Sequence, residues 1–135
     1  MRRIFLLLAA AALLAGCEAA PIKAVRQTFS DLYRDLLQAQ NGETELNAGI
    51  KSYENGNYKE SARQLQSALD QGLDKSSQVQ AHKYLAFIHC VSGRQSQCRS
   101  EFSKALDADP KFTLQPAEAG HPLWGPVFTS VKARR

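Results

Sequence analysis

Three cysteines and three histidines are the residues here whose chemistry depends most on spacing. Cys90 and Cys98 stand eight positions apart in "FIHCVSGRQSQC", with His89 directly before the first. Such a pair can close a disulfide, act as a redox couple or supply two ligands to a metal. Redox exchange is the weaker reading, because the spacing is not the C-x-x-C that tunes thiol reactivity. A metal needs two further ligands, and His82, His89 and His121 are the candidates. His82 and His89 fall seven apart, on roughly one face of a helix, yet no C-x-x-C or H-x-x-x-H pairing accompanies them. A structural disulfide between Cys90 and Cys98 is the leading expectation. Asp107 and Asp109, in "DADP", are paired carboxylates at what reads as a helix end, a better terminus than an acid–base site. No G-x-S-x-G, HExxH, P-loop or dinucleotide fingerprint is present. Neither an enzyme nor a cofactor is expected.

The third cysteine bears on compartment. Arg2 and Arg3 precede a twelve-residue apolar run, Ile4 to Ala15. That run is short of the ~20 residues that cross a bilayer and has the size of a signal-peptide core. The "LAGC" that follows, Leu14 to Cys17, resembles a bacterial lipobox. The resemblance implies a signal peptide over residues 1–16, a diacylglyceryl group on Cys17 and acylation of the new amine, as by palmitate. An ordinary secretory signal with a chance cysteine is the alternative. Several acyl chains anchor a protein stably where one does not. In sorted bacterial lipoproteins an aspartate after the cysteine implies inner-membrane retention. Glu18 stands here instead, so the resemblance implies the periplasmic face of the outer membrane, with the inner membrane as the other option. Acylation removes Cys17 from disulfide pairing, and the periplasm is oxidising enough for a Cys90–Cys98 bond to persist.

Cleavage would leave residues 17–135, enough for one domain. Losing Arg2 and Arg3 from 17 basic residues leaves 15 against 13 acidic ones, a balance of only +2. Nucleic acid is therefore not an expected partner. Residues 17–24 read as a short lipidated tether and residues 25–135 as the folded domain. "VKARR", Val131 to Arg135, reads as a frayed, solvated terminus.

The elements that must position these residues repeat. Asn55–Leu69 aligns with Ser92–Leu106 at a separation of 37: Gly56 with Gly93, Leu65 with Phe102, and Ala68-Leu69 with Ala105-Leu106. A period of that size implies stacked helix hairpins. The pattern over residues 42–110 resembles tetratricopeptide repeats. In the second copy Ala86 takes the small helix-A position, Gly93 the turn and Cys98 the small helix-B position. Phe102, Ala105 and Pro110 follow. Gly49, Gly56, Ser61, Leu65 and Ala68 take these roles in the first copy, with Tyr58 as the aromatic after the turn. Small residues there permit helix axes ~8–10 Å apart. The spacing exceeds the family's 34, and "QGLDKSS", Gln71 to Ser77, reads as the insertion. Two copies fall short of the ~3 that normally stabilise a stack, so flanking helices are expected. Val25, Phe29, Leu32, Leu36 and Leu37 form one stripe of a helix that packs on the stack and stops at "QNG", Gln40 to Gly42. At the other end, a loop and a short helix, Pro126 to Lys132, are expected to cap it, with Trp124 and Phe128 plugging the core.

The expected fold is thus all-α: antiparallel hairpins of tetratricopeptide type, an N-terminal packing helix and a C-terminal cap. By that resemblance the helix-A groove binds a partner protein through Leu46, Ile50, Tyr53, Lys83 and Phe87, flanked by Glu43, Glu54, Gln80 and Val91. The N-terminal helix filling that groove is the alternative. The ending "AEAGHPLWGPVF", Ala117 to Phe128, joined to lipobox, repeats and cysteine pair, resembles small lipoproteins associated with type VI secretion clusters. It implies an accessory, membrane-anchored interaction module whose partners are other envelope or secretion-system proteins. A general outer-membrane or peptidoglycan-linked scaffold is the second reading, and a thiol- or metal-dependent periplasmic enzyme the third.

Overall fold

The computed structural model describes the backbone of residues 20–135 and the side chains of residues 23–135. The expected signal peptide over residues 1–16 and Cys17 lie outside the described residues. Among the described residues the elements run α1 (Ala20–Glu54), α2 (Tyr58–Gln71), α3 (Lys75–Val91), α4 (Gln95–Ala108), α5 (Pro116–Ala119) and α6 (Gly125–Lys132), with no strand. The fold is all-α. The chain divides into two units, Met1–Asp35 and Leu36–Arg135.

Helix α1 departs from expectation at three points. It starts at Ala20, inside the stretch expected as a tether. Alanine favours helix, and Pro21 is tolerated in a first turn, where its missing N–H costs nothing. It then runs through Gly42 rather than stopping there. A Cβ at Gly42 would lie 2.9 Å from the Gly72 carbonyl oxygen and 3.1 Å from the Leu73 side chain. This glycine serves close approach, not termination. Finally, the stripe expected to pack on the core is open to solvent: Val25 is 68% exposed, Phe29 69% and Leu36 62%.

From Gly42 onward α1 pairs with α2. The contacts Gly42–Gly72 and Gly49–Ser61 have a falling partner for a rising position, so the two helices run antiparallel. At Gly49 a Cβ would stand 2.8 Å from the Leu65 side chain. The bare carbonyl of Gly49 instead accepts a 2.7 Å hydrogen bond from the buried Ser61 hydroxyl. Helix α3 is the central element, burying Val79, Ala81, Leu85, Ala86, Phe87, Ile88 and Cys90. Helix α4 packs on it through Cys98, Phe102, Ala105 and Leu106. Gly56 and Gly93, the matched turn glycines, share positive φ values of +77° and +72°, where a side chain is strained. Segment Gln71–Ser77 was expected as the insertion that lengthens the repeat. It ends α2, turns at Gly72 and begins α3, with the Asp74 carboxylate accepting from the Ser77 backbone N–H at 2.8 Å.

Two apolar clusters result. Leu46, Leu65, Ala68, Leu73, Ala81, Leu85 and Ile88 form one. Ala86, Phe87, the two cysteines, Phe102, Leu106, Trp124 and Phe128 belong to the other. Tyr53 and Tyr84 touch both.

Ala68 and Ala105 have no exposed surface. Replacing either by aspartate places an unpaired charge between helices, at a cost on the order of 3–5 kcal/mol. Thermal melting followed by circular dichroism should show both variants strongly destabilised. Wild-type melting of both would refute the assigned helix contacts.

Candidate functional site

The face expected to form a groove is occupied by the chain itself. Leu46 and Phe87 are each 2% exposed, and Lys83 is buried. Ile50 and Tyr53 are half-buried against the core. Segment Gln115–Gly125 covers Lys83 and Phe87, so these two are not open to a partner as the groove expectation requires. The physical reason is a charge and an aromatic that both need cover. The Lys83 ammonium lies 2.5 Å from Glu118 Oε1 and 4.7 Å from the centre of the Tyr84 ring. The Trp124 ring stacks on Phe87 at 4.3 Å, with its indole N–H donating to the Glu118 carbonyl at 2.8 Å.

The segment that does this is a strap folded by short-range rules. Pro116 opens α5, and Gln115 and Glu118 form a capping box. Glu118 Oε2 accepts from the Gln115 backbone N–H at 3.0 Å while Oε1 faces Lys83. One carboxylate thus caps its own helix and neutralises a buried cation. His121 stacks flat on Trp124, with ring centres 3.3 Å apart. A Cβ at Gly125 would collide with the Ala119 carbonyl oxygen, so this close return of the chain needs glycine. Phe128 of α6 then wedges edge-on between Phe102 and Phe112. The basic terminus is not frayed: Lys132 donates to the Phe112 carbonyl at 2.7 Å, and Arg135 reaches Asp107 at 2.6 Å. Asp107 and Asp109 hold no joint site, since Asp109 accepts from the Lys111 backbone N–H.

The pair Cys90 and Cys98 spans α3 and α4, with sulfurs at bonding distance and Cα atoms 5.2 Å apart. Both are buried in the second cluster. Among the described residues no three His, Cys, Asp or Glu side chains converge as metal ligands. The histidines are engaged separately. His82 Nδ1 sits 2.7 Å from Glu101, whose other oxygen accepts from Lys104 at 2.7 Å. His89 accepts from Arg94 at 2.8 Å, and burial first, then the Arg94 charge, hold its pKa below 6.5. For Glu101 burial is the largest influence and opposes ionisation. Hydrogen bonds from His82 and Lys104 together outweigh it, leaving the carboxyl below its ordinary 4.5. Burial, reinforced by Tyr58, Tyr84 and Glu118, pushes the Tyr53 phenol up to about 12, so it stays neutral.

The expected cap is present, with Trp124 and Phe128 in the core, but its tie to Lys83 was not legible because the anchor is long-range: Lys83 and Glu118 are 35 residues apart. The readable local signal was the Gln115-x-x-Glu118 capping pattern. The His82–Glu101 pair, across α3 and α4, has no local signal.

The bond between the cysteines closes a short loop, for which ~2–3 kcal/mol is expected. Cys90→Ser with Cys98→Ser should lower the melting temperature and leave the helical spectrum intact, since packing defines the fold. Two titratable thiols in wild type would overturn the bond.

Glu101 and His89 both have depressed values in the folded state. Their stabilisation is present above the unfolded values and is lost as pH falls, through about 6.5 for His89 and then below 4.5 for Glu101. Melting temperature should therefore fall on acidification. Glu101→Gln should melt lower at neutral pH and show a shallower acid limb. An unchanged acid limb in that variant would place the titration elsewhere.

Comparison with protein-family models, curated proteins and solved structures gives no match for this chain.

Proposed function

We propose that this chain is a lipid-anchored protein-interaction module of tetratricopeptide type, accessory to an envelope-spanning secretion machine of the type VI class and held at the periplasmic face of the outer membrane. The observation that carries the reading is the equivalence of positions 37 residues apart. Gly49 and Ala86 are the small residues of the first helix in each hairpin; Ser61 of the second helix bonds Gly49, and Cys98 shares the core cluster of Ala86. Gly56 and Gly93 turn alike, while Leu65 and Phe102, then Ala68 and Ala105, are wholly buried. A scaffold repeating in that way is suited to presenting a surface rather than to enclosing a substrate.

Anchoring rests on the "LAGC" stretch alone. A covalent lipid at Cys17 is the attachment this reading requires; among the described residues no helix is long and apolar enough to cross a membrane. The strap narrows where a partner can bind. With Lys83 and Phe87 covered, the accessible part of the expected groove lies at its first-repeat end, near Glu54 and the exposed Tyr58. An open cleft there is lined by Gly56, Tyr58, Lys59 and Arg63.

Cys17→Ser should abolish metabolic labelling by palmitate and displace the protein from the membrane fraction. Unchanged labelling would exclude Cys17 as the acylation site. A strain lacking the chain should lose contact-dependent secretion, with rescue by wild type and not by Cys17→Ser. Undiminished secretion without the chain would reject the accessory role.

A further inference from the structure

We propose that the solvent-facing stripe of α1 pairs with the same stripe of a second copy of this chain. Val25, Phe29, Leu32 and Leu36 follow one another at alternating steps of four, three and four. That is the spacing of a coiled-coil seam. With Tyr33 and Leu37 beside it, all six side chains are between 44% and 69% exposed. Single exposed apolar residues are ordinary, but a contiguous patch of several hundred Å² marks a contact surface.

The kind of occupant follows from the same helix further along. Continuing the three-four steps from Leu36 leads through Ala39 and Glu43 to Leu46, Ile50 and Tyr53. There the seam is seated against helical neighbours, Leu65 and Leu85 among them. Where the chain covers this seam itself, it does so with helices. A bilayer surface fits less well. Interfacial helices carry a basic polar face, whereas here Lys23, Arg26 and Arg34 are offset by Asp31 and Asp35, and Arg34 is already paired with Asp31.

Area argues for a second copy in particular. Phe29 and Tyr33 can each bury an aromatic area on the order of 150–250 Å², and with the four aliphatic side chains two facing stripes would bury on the order of 1,200 Å², the lower bound of a stable specific interface. A self-complementary stripe closes on itself by two-fold symmetry and leaves no apolar surface over. An isolated helix of this length is marginal because its first turn is costly to nucleate. Here α1 is one continuous helix to Glu54, and its seated turns supply that nucleus.

The test uses the full chain in the cells that make it, with two copies carrying different tags. A photo-crosslinking phenylalanine analogue at position 32 should give a species of twice the mass that contains both tags. The same analogue at position 27, on the opposite face, should give at least tenfold less. Leu32→Lys with Phe29→Lys should reduce copurification of the two tags at least tenfold, while Gln27→Lys leaves it unchanged. Because positions 29 and 32 are exposed, the double variant should keep its helical spectrum and melting temperature in dilute solution. Crosslinks from position 32 to a different protein, crosslinks to lipid alone, or copurification that survives the double variant would each overturn the proposal.

Discussion

The distance between paired helices is the constraint on which the rest of this structure depends. At Gly49 the neighbouring Leu65 leaves no room for even one methyl group, and Ser61 uses that proximity to bond the Gly49 carbonyl. Thirty-seven residues later, Ala86 and Cys98 stand at the same stations, both without exposed surface. Interiors are packed as densely as molecular crystals, so a helix pair set at this distance fixes every side chain between it and the next pair. Phe102 fills the second hairpin where Leu65 fills the first. The extra ring volume is accommodated by Phe87 and Phe128, whose ring centres lie 6.1 and 5.2 Å away.

That aromatic run explains why the C-terminal strap belongs to the fold rather than lying on it. Tyr53, Tyr84, Phe87 and Trp124 form a continuous chain of ring contacts, with centroids 4.3 to 5.9 Å apart between consecutive members. Each such pair contributes ~0.5–1.5 kcal/mol beyond its buried area. Lys83 sits within this apolar surface, and an ammonium there without a counter-charge would cost several kcal/mol. Glu118 removes that cost and satisfies the start of α5 with its second oxygen. Removing the strap would therefore expose Phe87 and orphan Lys83 together. The pairing gives direction and register, while stacking supplies most of the attraction, because a buried ion pair recovers little beyond its own desolvation.

What was legible in the sequence was periodic. Glycines recurring at 37 marked the turns at Gly56 and Gly93. The end of the chain could be read as a cap because Trp124 and Phe128 are apolar bulk beside prolines. What was not legible was contextual. Gly42 carries the same letter whether it stops a helix or lets another backbone approach, and only the position of Gly72 decides. Leu46, Lys83 and Phe87 occupy matched positions, so a groove lined by them is a fair reading until the strap is placed. Lys83 in particular reads as a solvated cation when its carboxylate is 35 residues distant. The stripe on α1 was legible as apolar, but a stripe does not say whether its cover comes from the same chain.

The two hairpins solve one problem with bonds of different strength, and the difference follows from what each must hold. In the first, Ser61 is tied to Gly49 by a hydrogen bond, a net contribution of ~1 kcal/mol. The equivalent station in the second is Cys98, joined covalently to Cys90 one turn beyond Ala86. The first hairpin gains register from a long α1, whose side chains Leu46, Ile50 and Tyr53 run along the seam. Its partner in the second, α3, has only 17 residues. That shorter helix must nevertheless present Lys83 and Phe87 to the strap on one side and Cys90 to α4 on another. A slip of one turn between α3 and α4 would move Phe102 from Phe87 and break the His82–Glu101 contact. A covalent tie next to the Gly93 turn forbids that slip.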